Sequence, residues 1–457
     1  MPDSDRDKLV LHEMSSRGSA ENTSGNQDTD EELLQANGIN VWQTAVSLAG
    51  GMAGLGFLAI VVLVVSTGWI GFILFSFVCS AMIYTAILLG RCWNMVRLKW
   101  DQERHPYGAV GEEAFGVWAR RFINFLVALV CFTNTIPVLM GFTEMTLTIG
   151  GMVLEGTLCF WPLVYGLIIC PFVWLGTPKN FWLLLAASLF TCSLSMIFVT
   201  ISTFLISDSI SDHANATHSE FHESKLLHLS EATGTVLWVL SLHSTLLTVQ
   251  QDMQQPQALT KALILANFMT LPAVLVVMLS LLTVFGNALT NVTGTAIVFS
   301  LLPDDSLKKT AALLILVHQT GVVLFVNNPL FQYLEEVLDI PKEFTWKRVI
   351  LRSSIIIAQV FIQETVPHFT LLASISGGLL NPLLSLLIPC LCYLRLTKKC
   401  QSQPSKWFTL ETAVCFVIIG ATPCLMVFIL LGTGLSIGLG RTAFTMPCYV
   451  NATRAGL

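Results

Sequence analysis

The amino-acid sequence predicts an all-α, multi-pass membrane protein with about eleven transmembrane helices. Of its 457 residues 54% are hydrophobic, and the mean hydropathy is +0.70. Charged residues make up 12% of the chain, against roughly 25% in soluble domains. Eleven apolar stretches reach or approach the ~20 residues that a hydrocarbon core of about 30 Å requires. This composition argues against an ordinary soluble enzyme, a nucleic-acid-binding protein and a disordered chain.

The chain begins with residues 1–38, which carry nine acids and almost no aromatic side chain, a composition typical of a disordered tail. The apolar stretches follow, and we number them as spans 1 to 11: 41–65, 69–90, 122–146, 158–176, 181–206, 233–250, 262–286, 310–332, 349–366, 369–395 and 411–436. The predicted domains are the acidic tail 1–38, a ten-helix core over 39–396, a loop with the eleventh helix over 397–436, and a final tail over 437–457.

Positive charges predict the orientation, because short cytoplasmic loops retain Lys and Arg. With a cytosolic N-terminal tail, 19 of the 24 Lys and Arg residues lie on the cytosolic side and five on the other. Sequons at Asn215, Asn291 and Asn451 fall on the opposite side, where glycosylation occurs. A fourth sequon at Asn22 lies in the tail and is interpreted as a chance match. We therefore expect a lumenal or extracellular C-terminus.

Glycines and polar side chains interrupt three spans. Span 1 has four glycines within residues 50–56, span 6 concentrates Ser241 and residues 243–245, and span 10 carries residues 376–378 followed by Asn381-Pro382. One interpretation is that small residues let helices pack closely. The other is a pair of inverted five-helix repeats, in which spans 1 and 6 are broken at mid-membrane. The backbone N–H and C=O groups at the two breaks are then available to bind a carboxylate.

Short motifs spread over about 400 residues resemble the amino acid/auxin permease family, and most closely its vesicular GABA and glycine (inhibitory amino acid) transporter branch. The motifs are Gly51-Met52, Leu55-Gly56 and Gly68-Trp69-Ile70-Gly71 around span 1, Tyr107 and Gly111-Glu112-Glu113-Ala114-Phe115-Gly116 after span 2, Asp252-Met253-Gln254-Gln255-Pro256 after span 6, Asn328-Pro329-Leu330-Phe331 with Glu335 in span 8, and Val366-Pro367-His368-Phe369, Leu387-Ile388-Pro389 and Tyr393-Leu394-Arg395-Leu396 in span 10. The family's span 1 usually has a proline shortly after Leu55-Gly56, where this chain has Phe57-Leu58-Ala59-Ile60.

The resemblance implies a LeuT-like fold, with a 5+5 inverted-repeat core plus one extra C-terminal helix. It also implies secondary active transport of small neutral amino acids, without enzymatic activity, cofactor or metal. The residues that we expect to contact substrate are Gly50, Gly51, Met52, Ala53 and Gly54, through backbone groups, and Thr133, Asn134, His243 and Ser244. The alternative for these side chains is structural, because a mid-span Ser or Thr usually bonds its own helix.

Few titratable side chains lie within the spans, which limits the candidates for proton coupling to Glu144, Glu364, His243 and His318. His243 is preferred because it lies at the predicted break in span 6 and because the unperturbed pKa of His, near 6.5, suits an acidic lumen. A packing histidine is the alternative. Sodium coupling stays open, since backbone carbonyl groups also bind sodium.

Localisation and partners follow from the termini and the cysteines. The run Glu31-Glu32-Leu33-Leu34 resembles an acidic dileucine signal that binds a sorting adaptor, which favours a vesicular or endosomal membrane over the plasma membrane; a helix-entry segment is the alternative. The 12 cysteines lack a spaced CxxC framework and indicate neither a disulfide scaffold nor a zinc site. The alternative function is a non-transporting amino-acid sensor or scaffold of the same fold.

Overall fold

The computed structural model describes residues 38–54, 56–58, 60–61, 69–100, 103–150, 157–174, 181–210, 223–285, 296–341, 343–366, 368–400, 406–439 and 447–450. Every regular element within these residues is helical, and one parallel β-bridge pairs Ile39 with Met253. The acidic tail up to residue 37 and the sequons at Asn215, Asn291 and Asn451 lie outside the described residues.

Helices occupy all eleven predicted spans. In span order they are Val41–Met52, Trp69–Val96, Val117–Gly150, Thr157–Trp174, Phe181–Ile210, Glu223–Val239 with His243–Gln251, Leu259–Phe285, Ser306–Val337, Trp346–Thr365, Phe369–Pro382 with Leu383–Leu387 and Ile388–Cys400, and Lys406–Gly438. Between spans lie the helices Pro106–Phe115 and Ala296–Leu301 and the short 3-10 turns Arg97–Lys99 and Pro256–Ala258.

Eight helices among the described residues are long and apolar enough to cross a membrane. The other three spans have identifiable reasons for falling short. Span 1 is broken, the apolar helix of span 4 is described in full only from Cys159 to Trp174, and span 9 carries Lys347, Arg348 and Arg352 in its first turns. The predicted all-α, multi-pass membrane fold is confirmed, and the count of eleven spans is compatible with it.

Spans 1 and 6 are interrupted. The first helix of span 1 ends at Met52, after which Gly54 has a φ of +146°, and helical structure resumes in residues 56–58. In span 6 the chain leaves the helix after Val239 and re-enters it at His243. A φ of +146° is accessible to glycine at little cost and to other residues only with strain. The break in span 1 of this chain therefore lies at Gly54 and involves no proline.

Span 10, by contrast, continues as a helix through Pro382 and passes into a π-helical turn, Leu383–Leu387. Its glycines serve close packing. A Cβ on Gly377 would lie 1.7 Å from the carbonyl oxygen of Gly234 in the first half of span 6. The close-packing interpretation therefore applies to this span, because only hydrogen fits between the two backbones.

The helices pack so that the two broken spans lie inside the bundle. Span 8 packs along spans 3 and 5, span 10 packs along the first half of span 6, and the first half of span 1 contacts spans 5 and 7. Small buried residues line these contacts, among them Ala45, Ala49, Ala311 and Ala312, all at 0% exposure. Spans 1, 3, 6, 8 and 10 therefore enclose the region in which both helix breaks occur.

A disulfide joins Cys159, at the start of span 4, to Cys448, in the segment after span 11, across a sequence separation of 289 and with the two Cα atoms 5.4 Å apart. The sequence indicated no disulfide scaffold, and this pair corrects that expectation. The two cysteines are isolated in the sequence and lie in different segments, so no spacing rule identifies them. The nine other cysteines whose side chains the structure describes are free, and among them Cys424 alone is exposed.

Candidate functional site

The two helix breaks meet in the interior. A Cβ on Gly56, two residues after the break in span 1, would lie 2.4 Å from Val239 Cγ2 and 3.2 Å from the ring of Trp238. Trp238 and Val239 are the last residues before the break in span 6. Because helix ends leave N–H and C=O groups without intrahelical partners, this meeting point concentrates backbone polarity.

The residues expected to contact substrate from span 1 divide into two groups. Gly50 and Gly51 lie within the helix and face neighbouring spans: their Cβ atoms would lie 2.2 Å from the carbonyl oxygen of Leu185 and 2.6 Å from the ring of Phe325. Met52 is the last helical residue. Ala53 and Gly54, both described as buried, form the break itself, and their backbone is the part of span 1 that is free of regular helix geometry.

Polar side chains of spans 3, 6 and 10 form one hydrogen-bonded network beside the break in span 6. The amide of Asn381 donates to Asn134 Oδ1 over 3.0 Å, and the hydroxyl of Ser241 donates to Asn381 Oδ1 over 2.7 Å. Ser376 also donates to Asn134 Oδ1, over 2.7 Å, and Thr133 Oγ1 lies 3.2 Å from Ser376 Oγ. The expected residues Thr133 and Asn134 thus lie together with three further residues, among which Asn381 is central.

The network also holds the first half of span 6. The indole N–H of Trp238 donates to the carbonyl oxygen of Asn134 over 3.1 Å. Asn134, Ser376 and Asn381 are 5%, 4% and 0% exposed. Thr133 additionally bonds the carbonyl of Leu129 in its own helix, as expected for a mid-span threonine. The sequence indicated an interruption at Asn381-Pro382 but gave Asn381 no role in the site. The signal that could have identified Asn381 is its polar amide side chain within an otherwise apolar helix.

His243 and Ser244 open the second half of span 6 and face different neighbours. Nε2 of His243 lies 3.1 Å from Thr85 Oγ1 in span 2, and Nδ1 has no partner among the described residues. The side chain of Ser244 contacts Cys131 in span 3. His243 therefore lies at the break, as predicted, but its ring is directed at span 2 and away from the network around Asn134.

His318 in span 8 lies at the other break. Its Nδ1 is 3.0 Å from both oxygens of Ser188 in span 5, and its Nε2 lies so close to Gly54 that a Cβ there would approach it to 2.6 Å. The ring also lies within hydrogen-bonding reach of the Ala53 carbonyl group. Of the two candidate histidines, His318 is the one in contact with the break in span 1.

The candidate carboxylates lie farther from the breaks. Glu144 is half-buried in span 3, where Thr148 donates to its carbonyl oxygen. Glu364 is 8% exposed at the end of span 9, and its carbonyl accepts from the N–H of Cys448. Its carboxylate is within 4.8 Å of both disulfide sulfurs, which are bonded to each other and so cannot bind a metal.

Two buried charged residues were missed from the sequence. Glu231 is 6% exposed because the first half of span 6 begins at Glu223, ten residues before the apolar stretch predicted for it. Arg352, counted as a loop cation, is 2% exposed in span 9, where it bonds Glu335 over 2.7 Å. The signal for Arg352 was the acid of the span 8 motif, because a buried cation needs a partner.

A small pocket lies between the loop after span 2 and the second half of span 6, where Ser244 lines it. Arg104 and His105 line its outer part, and Asn124 and Tyr333 its sides. Burial lowers the pKa of His105, while the carboxylate of Glu336, 3.1 Å from its Nε2, opposes this shift. The pocket is lined by polar groups suited to water.

Comparisons with known proteins agree with this architecture. MhsT in complex with L-phenylalanine superimposes with a TM-score of 0.59 at 14% identity and covers 87% of this chain and 100% of its own. A Na⁺-coupled sialic acid symporter, in a substrate-bound outward-open state, gives a TM-score of 0.50 at 11% identity, covering 86% and 91%. At these identities the likeness shows the fold, and it confirms the predicted LeuT-like architecture.

Amino acid transporters of Arabidopsis thaliana are similar to this chain in sequence. Amino acid transporter AVT1E is 25% identical over 401 residues, which are 84% of this chain and 69% of the relative. Amino acid transporter AVT1I is 23% identical over 388 residues, 81% of this chain and 90% of the relative. The family profile described as "Transmembrane amino acid transporter protein" matches residues 37–433. With the fold, the two broken spans and this match, the chain belongs to the transmembrane amino acid transporter family.

Proposed function

We propose that this protein is a proton-coupled secondary transporter of small neutral amino acids. The observation that carries the proposal is the meeting of the two breaks, at which Gly56 packs against Trp238 and Val239. Backbone N–H and C=O groups freed at such breaks bind the carboxylate and ammonium groups of an amino acid without any charged side chain. Family membership supports amino acid transport as the general activity.

The side chains beside the breaks favour a neutral substrate. The network of Thr133, Asn134, Ser241, Ser376 and Asn381 is uncharged. A charged substrate side chain would leave water without gaining an opposite charge from this network, which costs several kcal/mol. The neutral ligand L-phenylalanine of MhsT supports the same substrate class.

A small substrate is favoured by the bulky residues that close the region. The ring of Trp238 meets that of Phe369 edge-on, with centroids 5.5 Å apart, and the ring of Phe325 contacts Gly51. Glycine and GABA, which the resemblance implies, have no side chain that branches from the backbone. They need less space beside these rings than a branched or aromatic amino acid.

We further propose that the N-terminus faces the cytosol and that the protein resides in a vesicular or endosomal membrane. The distribution of 19 and five cations supports this orientation. The disulfide between Cys159 and Cys448 supports it independently, because disulfides persist in the lumen of the secretory pathway or outside the cell. Both cysteines belong to segments that the cation distribution places on the non-cytosolic side.

Uptake into proteoliposomes tests the function. The purified protein is reconstituted, and radiolabelled glycine, GABA and the standard amino acids are offered under an imposed pH gradient, a sodium gradient or neither. We expect saturable uptake of small neutral amino acids that the pH gradient drives. Uptake driven only by the sodium gradient would show that sodium is the coupling ion and would contradict proton coupling. Thermal stabilisation by an amino acid without any flux would instead support the sensor hypothesis.

Single-sequon variants test the orientation. Asn215→Gln, Asn291→Gln and Asn451→Gln should each remove a glycosidase-sensitive mobility shift if their segments face the lumen. Modification at Asn22 would overturn the orientation, since it places the N-terminal tail in the lumen. The same cells provide the localisation, by co-staining for vesicular and plasma membranes.

A further inference from the structure

His318 lies where the break in span 1 meets spans 5 and 8, and it is 1% exposed. Its Nδ1 is 3.0 Å from the carbonyl oxygen and 3.0 Å from the hydroxyl oxygen of Ser188. The Ser188 hydroxyl donates its own hydrogen to the carbonyl oxygen of His318 over 2.8 Å. Both oxygens near Nδ1 therefore act as acceptors, so Nδ1 carries a hydrogen.

The other ring nitrogen, Nε2, faces span 1. It approaches Gly54 where any side chain would obstruct it, and the ring lies within hydrogen-bonding reach of the Ala53 carbonyl group. Ala53 caps the first half of span 1. In a neutral ring with hydrogen on Nδ1, Nε2 presents a lone pair to this carbonyl group, which is repulsive. In the imidazolium form Nε2 donates to it, and both ring nitrogens are satisfied.

No charged side chain among the described residues contacts the His318 ring. Spans 1, 3, 4, 5, 6 and 9 pack against span 8. Among the residues that the structure describes in them, none places a titratable or charged side chain against His318; its partners are Ser188 and the backbone of Ala53. Burial disfavours a charged ring, and the carbonyl groups of Ser188 and Ala53 offset part of this cost. Binding or losing the proton therefore changes the contact between span 8 and the broken end of span 1.

His243, the histidine preferred from the sequence, has a different arrangement. The hydroxyl of Thr85 can donate to the carbonyl oxygen of Ala81 or Met82, 3.0 and 3.1 Å away, so its oxygen accepts from Nε2 of His243. One hydrogen on the ring satisfies this contact. Nδ1 meets no acceptor among the described residues, so a second proton there would have no stabilising partner.

We infer that His318 binds the coupled proton, and that the protonated ring bridges the carbonyl groups of Ser188 and Ala53, joining span 5 to the break in span 1. The inference rests on the proposed transport function and names the residue that couples it to protons. The proton adds to Nε2, and its loss removes one hydrogen bond to Ala53. Span 1 is thereby free to move relative to span 8 only when the ring is neutral.

The test compares wild-type protein with His318→Gln in proteoliposomes, using the best-carried amino acid of the panel above. With one proton per substrate, a gradient of one pH unit supports about tenfold accumulation. We expect about tenfold for wild type and no accumulation for His318→Gln, while gradient-free exchange reports whether the variant still carries substrate. Thr320→Val is the matched control, because Thr320 bonds only the Leu316 carbonyl of its own helix; it should accumulate as wild type does.

The outcomes separate the two levels of the proposal. Wild-type accumulation by His318→Gln overturns the role of His318 and leaves proton-coupled transport standing. Exchange by wild type without pH-driven accumulation overturns proton coupling and the role of His318 together. If His318→Gln is inactive in exchange, Ser188→Ala decides: loss of one acceptor at Nδ1 should move the pH of half-maximal uptake about one unit lower, and an unchanged pH dependence overturns the inference.

Discussion

The side-chain amides of Asn134 and Asn381 face each other in the middle of the bundle, and each oxygen accepts a hydroxyl hydrogen as well as an amide hydrogen. A polar group that loses its partner in such a place costs about 1–3 kcal/mol. The pair therefore holds spans 3 and 10 in one arrangement. Ser241 extends this hold to the break in span 6, so the network connects packing to the proposed substrate site.

We expect Asn381→Ala to lower stability by about 1–3 kcal/mol, because the side-chain N–H of Asn134 and the hydroxyl of Ser241 both lose Asn381 Oδ1 as their acceptor, and to reduce amino acid uptake more than tenfold. Asn267→Ala is the matched control. Asn267 is also buried, at 6% exposure against 0% for Asn381, but its side chain donates to Leu263 in its own helix. Thermal unfolding in detergent and uptake are measured for both. A similar uptake by the two variants would remove the network from the substrate site.

A triad of charged side chains, Glu335, Arg348 and Arg352, joins spans 8 and 9. Glu335 accepts from Arg348 over 2.8 Å and from Arg352 over 2.7 Å, and the Arg352 guanidinium lies 4.9 Å from the ring centre of Phe331. Removing one partner of a buried ion pair is costly, because the remaining charge is left uncompensated. Glu335 belongs to the span 8 motif, so its place in the motif has a structural explanation.

Glu335→Gln should therefore destabilise the protein by about 3–5 kcal/mol, since the buried Arg352 loses its counter-charge. The adjacent Glu336→Gln is the control: its side chain is 47% exposed and contacts His105, so we expect a change within about 0.5 kcal/mol. The measurement is the melting temperature in detergent, read from intrinsic fluorescence. Equal melting temperatures for the two variants would contradict a structural role for the triad.

The break in span 1 depends on the backbone conformation of Gly54. With a φ of +146°, this residue occupies a region that costs other residues about 1–3 kcal/mol. A side chain there would also meet His318. Gly54 therefore meets two independent requirements: it adopts the positive φ, and it leaves space for the imidazole of His318.

Gly54→Ala should abolish uptake and lower the melting temperature, since both requirements are violated. Gly420→Ala provides the comparison, because Gly420 lies in the middle of span 11 with nothing within 4 Å of its added Cβ. There alanine should be neutral or stabilise the helix by about 0.4–1 kcal/mol. Uptake by Gly54→Ala at the wild-type rate would show that span 1 does not need this backbone conformation.

The sequence predicted elements better than partners, for a physical reason. Hydropathy and glycine content are local, so the eleven spans and the breaks at spans 1 and 6 were predictable. The partners of a buried side chain depend on which helices become neighbours. The contacts of His318 with Ser188 and of Asn134 with Asn381 join residues 130 and 247 positions apart, and no local pattern encodes them.

Two connections join segments near the two ends of the chain to distant parts of the sequence. Ile39, just before span 1, donates to the Asp252 carbonyl and accepts from the N–H of Gln254, just after span 6. The disulfide joins span 4 to the segment after span 11. The first connection fixes the starting end of span 1 beside the end of span 6.

The disulfide allows a last prediction that joins stability to orientation. Cys448→Ser should lower stability by about 2–4 kcal/mol, because the bond closes a long loop in the unfolded chain, between cysteines separated by 289 positions. Cys424→Ser, which removes an exposed free thiol, should leave the melting temperature unchanged. In intact vesicles, Cys159 and Cys448 should react with maleimide only after reduction, and a membrane-impermeant reductant on the cytosolic face should not expose them. Reaction without reduction, or reduction from the cytosolic face, would contradict the proposed orientation, because the bond requires an oxidising compartment on its own side of the membrane.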